Sequence, residues 1–201
     1  NERGTFIGLE AKPTNHFTLS VFADRFTFKW LRFQTDAPSE GHRLLAQLNY
    51  KPSKRLETYF RYRQRSRGRN NTDNAEGIDE VVDEVNSNYR LHLAYKVNKN
   101  FTLKSRVEYT HYELGENKAE EGILIYQDLS FKKLSFPLSF SLRYALFDTE
   151  SFNSRIYAYE NDVLYAFSIP AYNGRGTRFY ITTKYHISRG IDFWLRYSHT
   201  Y

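Results

Sequence analysis

Apolar and polar residues alternate along most of the chain, most regularly between residues 177 and 201. In residues 179–187 every second side chain is apolar, aromatic or Thr, and after a turn at 188–190 the pattern resumes over 191–197. A β-strand points successive side chains to opposite faces. The spacing therefore predicts two antiparallel strands, with one apolar face and one charged face that carries aromatic rings.

The same unit recurs along the chain, at intervals of roughly a dozen residues bounded by turn signals. Residues 66–86 interrupt the series and favour either a mobile loop or one short helix. Residues 155–169 fit one long strand or two short strands broken near Asn161–Asp162, and two strands give the preferred even count of about 12. The other predicted strands cover residues 5–12, 17–33, 42–51, 56–65, 88–97, 101–113, 122–131, 137–147 and the hairpin 177–201.

Connections of two lengths alternate along the chain, and this predicts the fold class. Short turns follow residues 12, 51, 97, 131 and 187, whereas longer polar loops follow residues 33, 65, 113, 147 and 169. This alternation is typical of an antiparallel up-and-down transmembrane β-barrel of the bacterial outer membrane. Hydrocarbon offers no hydrogen-bond partners, so strand edges must be closed there. Aromatic residues near strand ends would form interfacial girdles: Phe17, Tyr50, Tyr95, Phe101, Tyr112, Phe131 and Tyr144.

Composition agrees with strands of two unlike faces. The chain has 17 Tyr and 16 Phe, yet its mean hydropathy is only −0.68. There is no run of about 18 apolar residues that would form a transmembrane helix. A soluble antiparallel sandwich also has alternating strands, but its strands are usually shorter, near 5–6 residues. We therefore expect residues 1–201 to be a single β-barrel segment in the outer membrane of a Gram-negative bacterium.

One stretch carries a family resemblance. Residues 159–201 contain YENDVLYAF, SIPAYNGRGTRFY and IDFWLRYSHTY. These pieces resemble the C-terminal barrel region of Bacteroidota envelope proteins that have an N-terminal helix-hairpin-helix region. In that family the chain continues into a further loop and a closing strand. The resemblance thus implies an incomplete segment of a larger barrel, and the helix-hairpin-helix neighbours imply contact with nucleic acid.

If the apolar face meets lipid, the opposite face lines the lumen and is strongly basic. A lumen lined by arginine and lysine favours anions, and the alternative is that these side chains form cross-strand ion pairs. Rings on the same face could stack on the bases of a single strand. The basic candidates are Arg61, Arg63, Arg65, Arg90, Arg106, Arg143, Arg178, Lys184 and Arg196, and the stacking candidates are Tyr59, Tyr126, Tyr180 and Trp194.

Catalytic chemistry has little support in the sequence. The six histidines show no HExxH pattern or paired metal spacing, and without cysteine there is no thiolate site. We therefore predict no enzyme activity, no metal and no cofactor. Two functions remain: a porin-like transport channel, or a non-conducting accessory barrel in a larger envelope complex. The expected partners are membrane lipid or lipopolysaccharide, other envelope proteins, and nucleic acid by the family resemblance alone.

Overall fold

The computed structural model describes residues 2–71 and 77–201, and the regular structure in this part of the chain is all β. The described residues contain no helix long and apolar enough to cross a membrane. The strands are β1 (Glu2–Thr14), β2 (Phe17–Phe28), β3 (Ser39–Tyr50), β4 (Leu56–Asn70), β5 (Val81–Lys96), β6 (Phe101–Leu114), β7 (Glu120–Lys132), β8 (Leu138–Thr149), β9 (Ile156–Tyr157), β10 (Ala171–Tyr172), β11 (Arg175–Ser188) and β12 (Ile191–Thr200).

Ten of these strands form one antiparallel up-and-down sheet, in the order β1-β2-β3-β4-β5-β6-β7-β8-β11-β12. Its strands are 10 to 16 residues long, which exceeds the usual 5–6 residues of soluble sheets. The predicted antiparallel up-and-down order is confirmed. The predicted alternation of connection lengths holds except between β6 and β7, where residues 115–119 form a loop no longer than the short turns 51–55 and 133–137. Within the described chain β1 pairs only with β2 and β12 only with β11, so the sheet is open and barrel closure stays a prediction.

Two boundaries differ from the prediction. The strand predicted over 17–33 ends at Phe28, because a bridge between Arg32 and Thr35 and a positive φ of 59° at Gln34 form a turn. The strand predicted to end at residue 65 continues to Asn70 and pairs with β5. The prediction of a loop or short helix over 66–86 is therefore wrong for residues 66–70 and 81–86. Residues 72–76 lie outside the described residues.

Cross-strand register divides the side chains of the sheet between two faces. The face that carries Arg61 is called the inner face, and the opposite one the outer face. An unbroken row of apolar side chains crosses the outer face, each opposite the next on the neighbouring strand. All of its members are exposed, and they are Phe60, Leu91, Val107, Ile125 and Leu146. The predicted segregation of apolar and charged faces is thus present.

Aromatic side chains cluster on the outer face where strands meet the short turns. Phe101 contacts Phe131 with ring centroids 4.8 Å apart, and Phe17 stacks on Tyr50 at 4.6 Å. Tyr112 does not belong to this girdle, so that part of the prediction is wrong. It lies on the inner face, where burial is compensated because its hydroxyl donates a hydrogen bond to Glu84 at 3.0 Å.

Residues 150–174 connect β8 to β11 and fold over the inner face. This infolded hairpin contains β9 and β10, which pair with each other outside the main sheet. The preferred interpretation of residues 155–169 as two wall strands is therefore wrong. The hairpin folds inward because its apolar side chains and those of the sheet form one cluster, in which both sets are removed from water. The hairpin contributes Ile156, Ala158 and Tyr172, and the sheet contributes Leu124, Tyr126, Ala145 and Phe147.

A glycine permits the close approach of this hairpin to the sheet. Gly122 on β7 faces the hairpin, and a Cβ added there would overlap the carbonyl oxygen of Ser154. Ser154 is buried, and its hydroxyl donates to the carbonyl of Ser151 at 3.1 Å. The hairpin is thus seated on the sheet backbone and positioned beside the basic side chains of the inner face.

Candidate functional site

The structure places all nine basic candidates on the inner face, because each lies an even number of residues along its strand from a member of the register row that runs through Arg61, or pairs with a residue that does. Six of them form ion pairs with carboxylates, as the alternative interpretation expects. Arg143 binds Asp128 through both branches of its guanidinium, at 2.5 and 2.8 Å, and both side chains are buried. Arg90 binds Glu108 in the same manner at 2.9 and 3.0 Å, and Arg106 also contacts this carboxylate.

Glu160 holds the infolded hairpin to β11 and β12. Its side chain is 0 % exposed. Arg178 donates two hydrogen bonds to it, at 2.7 and 3.0 Å, and the hydroxyl of Tyr172 donates a third at 2.8 Å. Arg196 contacts the carboxylates of both Glu160 and Asp162. A buried carboxylate with this many charge-assisted donors is well compensated, and it fixes the hairpin in place.

The four stacking candidates already make contacts within the protein. Tyr126 and Tyr180 are buried, and the guanidinium of Arg143 lies 3.6 Å from the ring centroid of the first and 5.5 Å from that of the second. Tyr59 stacks on His92 with centroids 5.0 Å apart. The amine of Lys184 lies 4.9 Å from the Trp194 ring and also pairs with Asp192 at 2.7 Å. Each of the four rings therefore packs against a cationic side chain of the inner face, which for Tyr59 is Arg61.

The remaining basic candidates, Arg61, Arg63 and Arg65, have no carboxylate bound among the described residues. Arg61 donates to the amide oxygen of Gln47 at 2.6 Å, and Arg63 donates to that of Asn88 at 2.9 Å. Arg65 makes no side-chain hydrogen bond or ion pair within residues 2–71 and 77–201. These three positions therefore keep their positive charge uncompensated by direct contact.

They belong to a longer row of arginines along β4. Every second residue from position 61 to 69 is arginine and faces inward, about 7 Å from the next in the strand direction. We call Arg61, Arg63, Arg65, Arg67 and Arg69 the arginine ladder. The sequence prediction ended this strand at residue 65 and so missed two members. The run RYRQRSRGR continues the period-2 pattern, and it was the signal that could have revealed them.

A cavity of about 640 Å³ lies between the arginine ladder and the infolded hairpin. Arg67 and Arg69 share Glu84, to which Arg69 donates at 2.8 Å. Arg155 reaches the cavity from the hairpin and donates to the hydroxyl of Tyr157 at 2.7 Å. Seven arginines and two glutamates line the cavity. Its surface is therefore positively charged and rich in hydrogen-bond donors.

Two charged groups in the long loops have shifted pKa values. Burial, and then the charge of Arg67, lowers the pKa of the Arg32 guanidinium in the β2–β3 loop. Glu150 accepts a hydrogen bond from the backbone amide of Glu121 at 2.9 Å and one from Lys118. These contacts lower the pKa of the Glu150 carboxyl. The Arg32 shift therefore reflects burial first, and second the positive charge of Arg67 at the loop end of the sheet.

The described residues contain no group of side chains that could hold a metal ion. No three histidine, aspartate or glutamate side chains in residues 2–71 and 77–201 are grouped so that they could hold a metal ion. Ser105 and His111 both lie on the outer face. Ser105 donates to Gln127 at 2.6 Å, and His111 contacts Glu113 at 3.0 Å, so the two side chains have separate partners.

Comparisons with known proteins assign no family. No protein-family model matches the chain, and no curated protein matches it significantly. Among solved structures, the translocator domain of the autotransporter NalP from Neisseria meningitidis is similar, with 16% sequence identity and a TM-score of 0.31. The match covers 99% of this chain and 74% of that chain. A TM-score this low carries no argument about function.

Proposed function

We propose that the chain is an outer-membrane β-barrel segment that acts as a pore or transport channel with a basic, anion-leaning lumen. One observation carries the proposal: a single sheet has an exposed apolar outer face and an inner face on which Arg61, Arg63 and Arg65 bind no carboxylate of residues 2–71 and 77–201. In a closed barrel the first face would contact lipid and the second would line water.

The outer face supports the membrane part of the proposal. Ile125 in the middle of β7 is 42% exposed, and it belongs to a row of exposed apolar side chains that crosses five strands. Soluble monomeric proteins rarely expose a contiguous apolar surface of this extent. A strand needs about 9–11 residues to cross a bilayer, and every strand of the main sheet has at least 10. Localisation in the outer membrane and contact with lipid or lipopolysaccharide belong to the same proposal.

The inner face supports the anion-leaning part. Rings and rows of arginine attract anions and repel cations in a water-filled passage, because the field of uncompensated charge raises the local anion concentration. Six basic candidates are neutralised by carboxylates, so the selectivity is assigned to Arg61, Arg63 and Arg65. No catalytic group is included in the proposal.

The infolded hairpin favours a second candidate, the non-conducting accessory barrel. The hairpin covers the inner face of β7, β8 and β11 and buries Tyr180 completely. A lumen filled in this way on the opposite side as well would conduct nothing. The cavity beside the arginine ladder supports the channel as the first candidate, because a fully plugged barrel would lack such a space.

Passage of nucleic acid is the part of the proposal with the least support from the geometry. It rests on the resemblance of residues 159–201 to helix-hairpin-helix envelope proteins. A single strand would be bound by stacking on exposed rings, but Tyr126 and Tyr180 are buried beneath the hairpin. We therefore assign the basic lumen to small anions in preference to nucleic acid.

Planar-bilayer recording of the purified protein tests this function. The expected result is a steady single-channel conductance. Under a salt gradient its reversal potential should lie closer to the equilibrium potential of chloride than to that of the cation. Heat-modifiable migration on a gel would first establish that the protein is folded. A folded protein without conductance would contradict the channel and favour the accessory barrel.

A further inference from the structure

The register of β3, β4 and β5 brings like charges directly opposite one another. Arg65 lies opposite Arg43 of β3, and Arg61 lies opposite Arg90 of β5. Like charges at directly opposed positions destabilise a sheet. One member of each pair is neutralised, since Arg43 binds Asp24 and Arg90 binds Glu108. The other member, Arg61 or Arg65, binds no carboxylate in the part of the chain that the structure describes, so an external anion would relieve the repulsion.

Two guanidiniums of the arginine ladder that bind no carboxylate of the described residues lie at the wall of the cavity. Arg63 and Arg65 both line it, and Arg63 donates to Asn88 through Nε and Nη2, which leaves its other N–H donors. Arg65 lies within electrostatic reach of Arg67, Arg43 and Arg63 and of the carboxylate of Glu84, with which it forms no ion pair. A guanidinium presents its N–H donors as a planar fork that fits the oxygens of a phosphate group. Two adjacent guanidiniums on one strand, about 7 Å apart, match an anion with more than one charged group.

Extending the proposed function, we propose that this cavity is a binding site for a small polyvalent phosphate-type anion, with Arg63 and Arg65 as its principal donors. The volume of about 640 Å³ is in the range of sites for small molecules, about 300–1,000 Å³. The infolded hairpin closes one side with Phe152 and Arg155. This wall limits the ligand to a compact solute and disfavours an extended polymer.

Isothermal titration of pyrophosphate into the folded full chain, in detergent micelles at fixed ionic strength, tests the site. We expect saturable binding to a single site. The double variant Arg63→Gln/Arg65→Gln should weaken binding by about tenfold or more, because charge-assisted bidentate hydrogen bonds are lost. The variant Arg63→Lys/Arg65→Lys keeps both positive charges but loses the planar guanidinium donors. Its affinity for pyrophosphate should lie between those of the parent and the glutamine variant.

The matched control is Arg55→Gln/Arg175→Gln, which removes the same net charge from exposed positions away from the cavity. Its affinity should stay within about twofold of the parent, since distant surface charges are screened. Equal weakening in the control, absence of saturable binding, or tighter binding of a single-stranded oligonucleotide would each overturn the proposal. Because titration does not depend on conduction, binding without conductance would contradict the channel alone. Conductance without binding would contradict the site alone.

Discussion

The variant Glu160→Gln is expected to release the infolded hairpin from the inner face. Its carboxylate is fully buried and receives donors from Arg178, Arg196 and Tyr172. Removing one partner of a buried ion pair leaves uncompensated charge and costs about 3–5 kcal/mol. We expect a lower unfolding midpoint, new protease cleavage within residues 150–174, and a larger single-channel conductance.

The control for this variant is Glu116→Gln, which removes an exposed carboxylate in the β6–β7 loop. It should change none of the three readouts. If Glu160→Gln unfolds the whole sheet, the variant Glu160→Asp separates release of the hairpin from unfolding of the sheet. Its shorter side chain weakens the contacts with Arg178, Arg196 and Tyr172 while it retains the negative charge. Resistance of residues 150–174 to protease in both Glu160 variants would contradict the role of Glu160 in holding the infolded hairpin to the inner face.

The triple variant Arg61→Gln/Arg63→Gln/Arg65→Gln is expected to abolish the preference for anions. These three guanidiniums have no carboxylate among the described residues, whereas the other six basic candidates are paired with acids. With them removed, the field that enriches anions in the lumen is lost. The reversal potential under a salt gradient should move toward zero, and the channel should remain open.

A matched control replaces three paired or peripheral cations, Arg25, Arg55 and Arg175, by glutamine. It changes net charge by the same amount, yet selectivity should persist because these side chains lie outside the lumen. An unchanged reversal potential in the ladder variant, with normal folding, would show that other charges set the selectivity.

Alternation of side chains was sufficient to predict most of the sheet. Phe179, Ile181 and Tyr185 fall on the outer face and Tyr180 on the inner face, as the period of two requires. The prediction succeeds because a shift of one residue would move every side chain of a strand to the opposite face. The alternating pattern therefore specifies strongly which residues face outward and which face inward. The inward placement of the basic residues follows from the same rule.

The infolded hairpin was beyond such reasoning. Ile156, Ala158 and Glu160 alternate with Tyr157 and Tyr159 in the same way as residues of a wall strand. Only tertiary contacts distinguish these residues from those of a wall strand. The apolar members pack on Leu124 and Phe147, and Glu160 forms ion pairs with arginines of β11 and β12. Which arginines stay uncompensated also depends on these distant contacts, so the sequence could not distinguish Arg65 from Arg178.

The most direct test of the central claim is the environment of the two faces in a lipid bilayer. The chain has no cysteine, so single cysteines at Asn86, Asn88, Leu91 and Leu93 on β5 would each be the sole thiol. We expect the first two, on the inner face, to react with a water-soluble maleimide in liposomes. The last two should resist it, and fluorophores placed there should be quenched by brominated lipid. Equal reactivity of all four thiols, without lipid quenching, would contradict the membrane barrel.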